Sequence, residues 1–289
     1  MILKFRWSRS SGFISSPVSY LQCSILIMLP RLFSASRNSV VRCLLLWCII
    51  WSGLAPAGGT ELPAKELTEQ WEPTPEIVAV PADGPPADAV VLFDGRSLNA
   101  WQTLNHRPAA WRIQADGVLT VVPGAGTIRT KESFGSVQLH LEFRTPREAG
   151  GTGQDRGNSG IIFMGLYEVQ ILDSYQNATY VNGQAGAVYK QFAPLVNASR
   201  PPGEWQVLDI VFIAPRFSED DALLSPARMT VFHNGVLVHH DVELSGPTKN
   251  RGQPVYKPHA EVLPLQLQDH RSPVSFRNIW IRRLEPARG

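Results

Sequence analysis

The stretch YEVQILD, residues 167–173, alternates apolar and polar side chains from Tyr167 to Ile171. A period of two is that of an extended strand, because successive side chains point to opposite faces. Tyr167, Val169 and Ile171 share one face, Glu168 and Gln170 the other, and Asp173 closes the run. The same period recurs in VVLF (90–93), GVLTVV (117–122), VQLHLEF (137–143), GIIFM (160–164), GAVYKQ (186–191) and WQVLDIVFI (205–213). It continues in RMTVFH (228–233), VLVHHDVEL (236–244), LPLQLQD (263–269) and VSFRNIWIRRL (274–284). Asn234-Gly235 between two of these runs marks a tight hairpin, since both residues tolerate positive φ. No long stretch of helical period interrupts the series. About eleven antiparallel strands predict an all-β, two-sheet sandwich with a concave binding face.

The charge pattern sets the borders of that domain. The chain has 289 residues, 44% of them hydrophobic, and a formal charge of +2. Residues 1–57 hold six basic side chains (Lys4, Arg6, Arg9, Arg31, Arg37, Arg42) and no acid. The remainder therefore has 21 basic against 25 acidic side chains, about −4. Such a body lacks the basic face that nucleic acid requires. The apolar run CLLLWCIIWSGLA (43–55) follows arginines and leads into Ala55-Pro-Ala57. It is shorter than the roughly 20 residues that span a bilayer, so it reads as a signal-peptide core, with an uncleaved N-terminal anchor as the alternative. An exported protein, periplasmic or extracellular, is expected. Cys23, Cys43 and Cys48 all fall in this leader, which leaves the mature chain without a thiol. Residues 58–87, with Pro63, Pro73, Pro75, Pro81, Pro85 and Pro86, read as a linker, and 88–289 as the domain.

In a curved sandwich the face turned away from the core forms a hollow lined by alternate residues. Glu168 and Gln170 take such places. LQLQDH (265–270) repeats the pattern, with Leu265, Leu267 and Asp269 alternating against Gln266, Gln268 and His270. Amides and a carboxylate offer the paired hydrogen bonds that a polyhydroxylated ligand needs. Asn158 and Asp173 are further polar candidates. Lys190 reads as a groove cation or a surface lysine. Tyr189 and Trp205 are candidate platforms for a sugar ring, and Trp205 equally a plug for a sheet edge. The glycine-rich loop GGTGQDRGN (150–158) lacks the strand and helix of a phosphate loop and reads as a rim or a cation-holding turn with Asp155. His239 and His240 are adjacent and so cannot share a metal on a regular strand. No cofactor is assigned, but Glu168, His270 and His259 are a candidate set for a divalent metal. Asn177-Ala-Thr and Asn197-Ala-Ser are formal glycosylation sequons. The oligomeric state is left open.

With these pieces laid out, the sequence resembles the 3-keto-disaccharide hydrolase family. The matching segments are VVLFDGRSLNAWQ (90–102), RGNSGIIFMGLYEVQILDSY (156–175), GAVYKQFAPLVNASRPPGEWQ (186–206), VFHNGVLV (231–238) and LPLQLQDHRSPVSFRNIWIRRL (263–284). The resemblance implies a concanavalin A-like jelly roll and cleavage of 3-keto-glycosides, by hydrolysis or by elimination followed by hydration. YEVQILD is also similar to the catalytic strand of jelly-roll glucanases, whose E-x-D-x-E carries nucleophile and acid at period two. Here Gln170 and Leu172 stand where the second and third acids would be. Paired-carboxylate hydrolysis needs two carboxyl groups within about 5–10 Å, and this strand supplies one. A 3-keto sugar needs only one base and a group that stabilises the enolate. On that reading Glu168 is the base, and His270, Lys190 or a metal supports the enolate or protonates the leaving group. Gln170 and Gln268 then orient hydroxyls. A lectin-like module that binds glycans without chemistry is the alternative, and an exported adhesion domain a third.

Overall fold

The computed structural model describes residues 68–284 apart from Asp83 and Ala149. The signal-peptide expectation and the three cysteines lie outside the described residues. The first half of the domain carries β1 (Val90–Phe93), β2 (Trp101–Thr103), β3 (Arg112–Ile113), β4 (Leu119–Thr120), β5 (Ile128–Phe134), β6 (Val137–Arg144), β7 (Ser159–Phe163) and β8 (Tyr167–Ile171). The second half carries β9 (Gln206–Ile213), β10 (Arg216–Phe217), β11 (Leu223–Ser225), β12 (Arg228–His233), β13 (Val236–Glu243), β14 (Leu263–Leu267) and β15 (Ser275–Arg283). One sheet is ordered β13-β12-β9-β6-β15-β4-β3, with β1 also on β15, and the other β2-β5-β14-β7-β8. Strands β10 and β11 form a separate ribbon. The architecture is the antiparallel two-sheet sandwich that the periodicity predicts, in the jelly-roll form that the resemblance implies. No helix among the described residues is long and apolar enough to cross a membrane.

Alternation explains how the layers close. In β6 the residues Val137, Leu139, Leu141 and Phe143 are buried while their neighbours are not, and β9 repeats this with Leu208, Ile210 and Phe212. Facing them from the second sheet are Phe163 and Tyr167, whose rings lie 4.9 and 5.5 Å from that of Phe212. Burying such side chains stabilises by about 25 cal/mol per Å² of apolar surface removed from water. The hairpin from β12 to β13 turns at Asn234 and Gly235, with φ of 53° and 78°.

Strand β8 departs from the pattern, because all five of its residues are buried. It lies last in its sheet, and the segment 186–189 covers its free edge. Gln170 N donates to Ala187 O, Gly186 N to Gln170 O and Tyr189 N to Glu168 O, at 2.9–3.0 Å. GAVYKQ, expected as a strand, makes only isolated pairings, Val169 with Val188 and Val188 with Phe192. The reason is local: the chain turns at Lys190, whose φ is 59°.

Candidate active site

The outward face of the five-stranded sheet holds a cavity of about 350 Å³ lined by Asn158, Glu168, Gln170, Tyr189, Thr248, Asn250, Gln268 and His270. Its volume is within the range of small-molecule sites, ~300–1,000 Å³. Strands β7 and β8 build its floor. Gly160 pairs with Gln170 across the ladder, and a Cβ at Gly160 would lie 2.4 Å from Glu168 Oε1. Glycine is therefore the residue that leaves room for the Glu168 carboxyl. The backbone N–H of Glu168 donates to Thr248 Oγ1 at 2.9 Å, which ties the loop after β13 to the same strand.

Glu168 is 7% exposed, and among the described residues its one side-chain partner is Gln268 Nε2, donating at 3.5 Å. Burial without a cation disfavours the charged form and pushes its pKa up to about 7. The group is thus close to half ionised at neutral pH, as a general base should be. Tyr189 is hydrogen-bonded to the Tyr180 hydroxyl at 2.6 Å. Burial, that bond and the nearby Glu168 charge keep the phenol protonated well above its usual range. A larger cavity, about 680 Å³, is lined by Pro146, Glu148, Asp155, Asp269 and Arg271 among others, and shares His270 with the first. His270 is exposed and stands on the border between the two.

Of the residues singled out from the sequence, Glu168, Gln170, Gln268, His270, Tyr189 and Asn158 meet around one cavity. Lys190 stands beside it: Nζ donates to Asn250 O and Oδ1, both at 2.7 Å, and lies 5.5 Å from the Tyr189 ring. Its ammonium is bonded to Asn250, which lines the cavity, and Lys190 itself is not among the lining residues. Asp173 is buried at 3% and accepts from Arg156 Nε at 2.7 Å, so it anchors the glycine-rich loop and offers nothing to a sugar. Trp205 lies just before β9 of the other sheet, and the Arg277 and Arg144 guanidiniums lie 4.2 and 4.6 Å from its ring. His259 bonds to the Tyr167 hydroxyl at 2.8 Å. Tyr167 and Glu168 point to opposite faces of β8, so Glu168, His270 and His259 do not form a metal set. Among the described residues no cluster of three His, Cys, Asp or Glu is placed to hold a metal ion. Both sequon asparagines have committed amides: Asn177 Nδ2 donates to Gly153 O and Asp173 O, Asn197 Nδ2 to Ser174 O.

Three contributors escape a reading of the sequence. Thr248 and Asn250 sit in SGPTKNRG (245–252), a run of turn formers with no periodicity to give them a face. Gln154 lies in the glycine-rich loop, where it accepts from Gln170 Nε2 at 2.9 Å. That loop is a pinned rim, since Gly153, Gln154 and Arg156 all bond to the segment 173–183.

A jelly roll with one buried carboxyl in a polar, sugar-sized hollow defines a carbohydrate-active domain resembling the glycosyl hydrolases. The family described as the 3-keto-alpha-glucoside-1,2-lyase-like domain matches residues 88–282, and the chain belongs to that family. A "putative glycosyl hydrolase" of known structure from Parabacteroides distasonis ATCC 8503 is 45% identical, with 76% of this chain and 96% of that one covered and a TM-score of 0.73. A second structure of that description from the same organism shares the fold at 19% identity, covering 68% and 94% of the two chains with a TM-score of 0.52. No curated protein gives a significant match.

Proposed function

We propose that this domain, as an exported protein, cleaves 3-keto-glycosides by elimination from a single general base, followed by addition of water. The observation that carries the reading is Glu168: a buried carboxyl poised near pH 7, and the only carboxyl among the residues lining its cavity. The C3 carbonyl of such a sugar acidifies the C2 proton. Glu168 takes that proton, the C2–H electron pair becomes the C2=C3 double bond, and negative charge gathers on the C3 oxygen. The amide of Gln268 and the phenol of Tyr189 are donors suited to that oxyanion. The carbonyl then re-forms, C1=C2 forms and the C1–O bond breaks. Glu168 returns its proton to the departing oxygen. Water adds across the new double bond, hydroxyl to C1 and proton to C2, and completes a net hydrolysis. The leaving group extends past His270 toward the larger cavity.

The test is turnover of 3-keto-disaccharides beside their unoxidised parents. The wild-type protein should consume only the keto forms, and Glu168→Gln should lose about 10²–10⁴-fold in rate with an unchanged circular dichroism spectrum. Full activity in Glu168→Gln removes Glu168 from the scheme. Glycan binding without turnover by the wild type would make the domain a lectin-like module.

A further inference from the structure

We propose that Gln154 fixes the amide of Gln170 so that its Oε1 acts as an obligate acceptor, and that the site selects ligands by a free hydroxyl at this point. The inference rests on the reading of the cavity as a sugar site and names what that sugar must carry. A chain of hydrogen bonds sets the orientation. Gly183 O is a carbonyl and can only accept, so Gln154 must present Nε2 to it, at 2.9 Å. The same Nε2 also reaches Thr179 Oγ1 at 2.9 Å. Gln154 Oε1 is thereby turned toward Gln170 and accepts from Gln170 Nε2 at 2.9 Å. Gln170 has no freedom left to flip, because a reversed amide would set two oxygens against each other.

Gln170 is 1% exposed and lines the cavity beside Glu168, yet its own Oε1 is buried and has no hydrogen-bond partner among the described residues. Buried acceptors are rarely left without a donor, and one so placed calls for a group that enters with the ligand. A hydroxyl can donate there. A ketone, a ring oxygen or an ether cannot, since acceptor would meet acceptor. The oxidised carbon of a 3-keto sugar therefore faces away from Gln170, toward the donors on the Gln268 side. Gln154 is not among the residues that line the cavity and acts as a positioning residue.

The probes are methyl 3-keto-glucoside and its mono-deoxy and mono-O-methyl derivatives, with affinity measured by calorimetry on the Glu168→Gln protein, which leaves them intact. One hydroxyl position should stand out, its O-methyl derivative binding at least ~10-fold more weakly than the parent. In Glu168→Gln/Gln154→Leu the Gln170 amide can turn and offer Nε2 to the ether, so the penalty at that position should shrink to about twofold. Penalties at the other positions should stay as they were, whereas a merely structural loss would weaken all of them together. The inference is overturned if no position stands out, if no probe binds, if Gln154→Leu leaves the penalty intact, or if a crystal structure of the complex shows Gln170 Oε1 on a water that no sugar displaces. Turnover of 3-keto-glycosides without such a position would retain the elimination chemistry and discard this selection. Such a position without turnover would do the reverse.

Discussion

At Glu168 the fold holds a carboxyl in a place where its charged form is poorly solvated, and this has a measurable consequence for stability. The unfolded chain releases the Glu168 proton near the model-peptide value of ~4.3, while the native protein holds it up to about pH 7. Between these values the native state binds more protons than the unfolded one, so this group's contribution falls as pH rises. Above pH 7 the deficit is complete and amounts to roughly 3 kcal/mol. Glu168→Gln removes the titration and keeps the volume. Urea unfolding should therefore find Glu168→Gln more stable than wild type by up to roughly 3 kcal/mol at pH 8 and nearly equal to it at pH 4. An equal difference at both pH values would show that the carboxyl is better solvated than its burial indicates. A carboxyl whose ionisation weakens the fold is the kind of stability cost a functional site carries. Strand alternation made Glu168 and Gln170 legible, because period two assigns a face. It could not say that Asp173 would turn into the protein toward Arg156, or that His259 would approach β8 from the core side, since those contacts join distant segments.

The rim of the cavity depends on how one loop is fastened to one strand end. The loop 150–158 sits over the segment 173–183, and its firmest tie is the Arg156–Asp173 pair, with the Asp173 side chain 1% exposed. Arg156 also donates to Tyr175 O at 3.1 Å, while Asp173 Oδ1 accepts from Tyr175 N at 3.2 Å. Removal of the cation alone strands a buried charge, so Arg156→Met should destabilise by about 3–5 kcal/mol. Adding Asp173→Asn to it should recover part of that loss, because a neutral amide needs no counter-charge. Thermal unfolding of the two single variants and the double variant reads the coupling directly. Strict additivity would mean that the pair contributes no more than packing. Elements of this kind were the least legible. Strand β5, IRTKESF, shows only Ile128 and Phe134 as apolar markers, yet Thr130 is fully buried and donates its hydroxyl hydrogen to the Glu132 carbonyl. Composition hid the strand, and only the paired β2 and β14 supply the partners that make its backbone a ladder.

Across the whole molecule two buried groups titrate in opposite senses, one served by each sheet. His233 ends β12 in the larger sheet, is 0% exposed and has its pKa pushed down to about 4 by burial and then by the Arg200 charge. His239 on β13 is shifted the same way and bonds Gly186 O, at the head of the strip that covers β8. Unfolded histidine protonates near pH 6.5, so as pH falls from there to about 4 the unfolded chain gains a proton that native His233 refuses. The contribution of His233 thus falls by roughly 3 kcal/mol over that window, and below pH 4 it changes no further. Glu168 moves the other way over nearly the same range, regaining stability as acid neutralises it. The two slopes offset each other in the wild type, whose stability should vary little between pH 7 and 4.5 on their account. His233→Asn should break the balance. Its unfolding free energy, measured in urea at pH 7, 5.5 and 4, should gain on that of wild type by roughly 3 kcal/mol from the first pH to the last. A difference that stays constant over the three would place the proton on His233 in the folded protein and refute the compensation between the sheets.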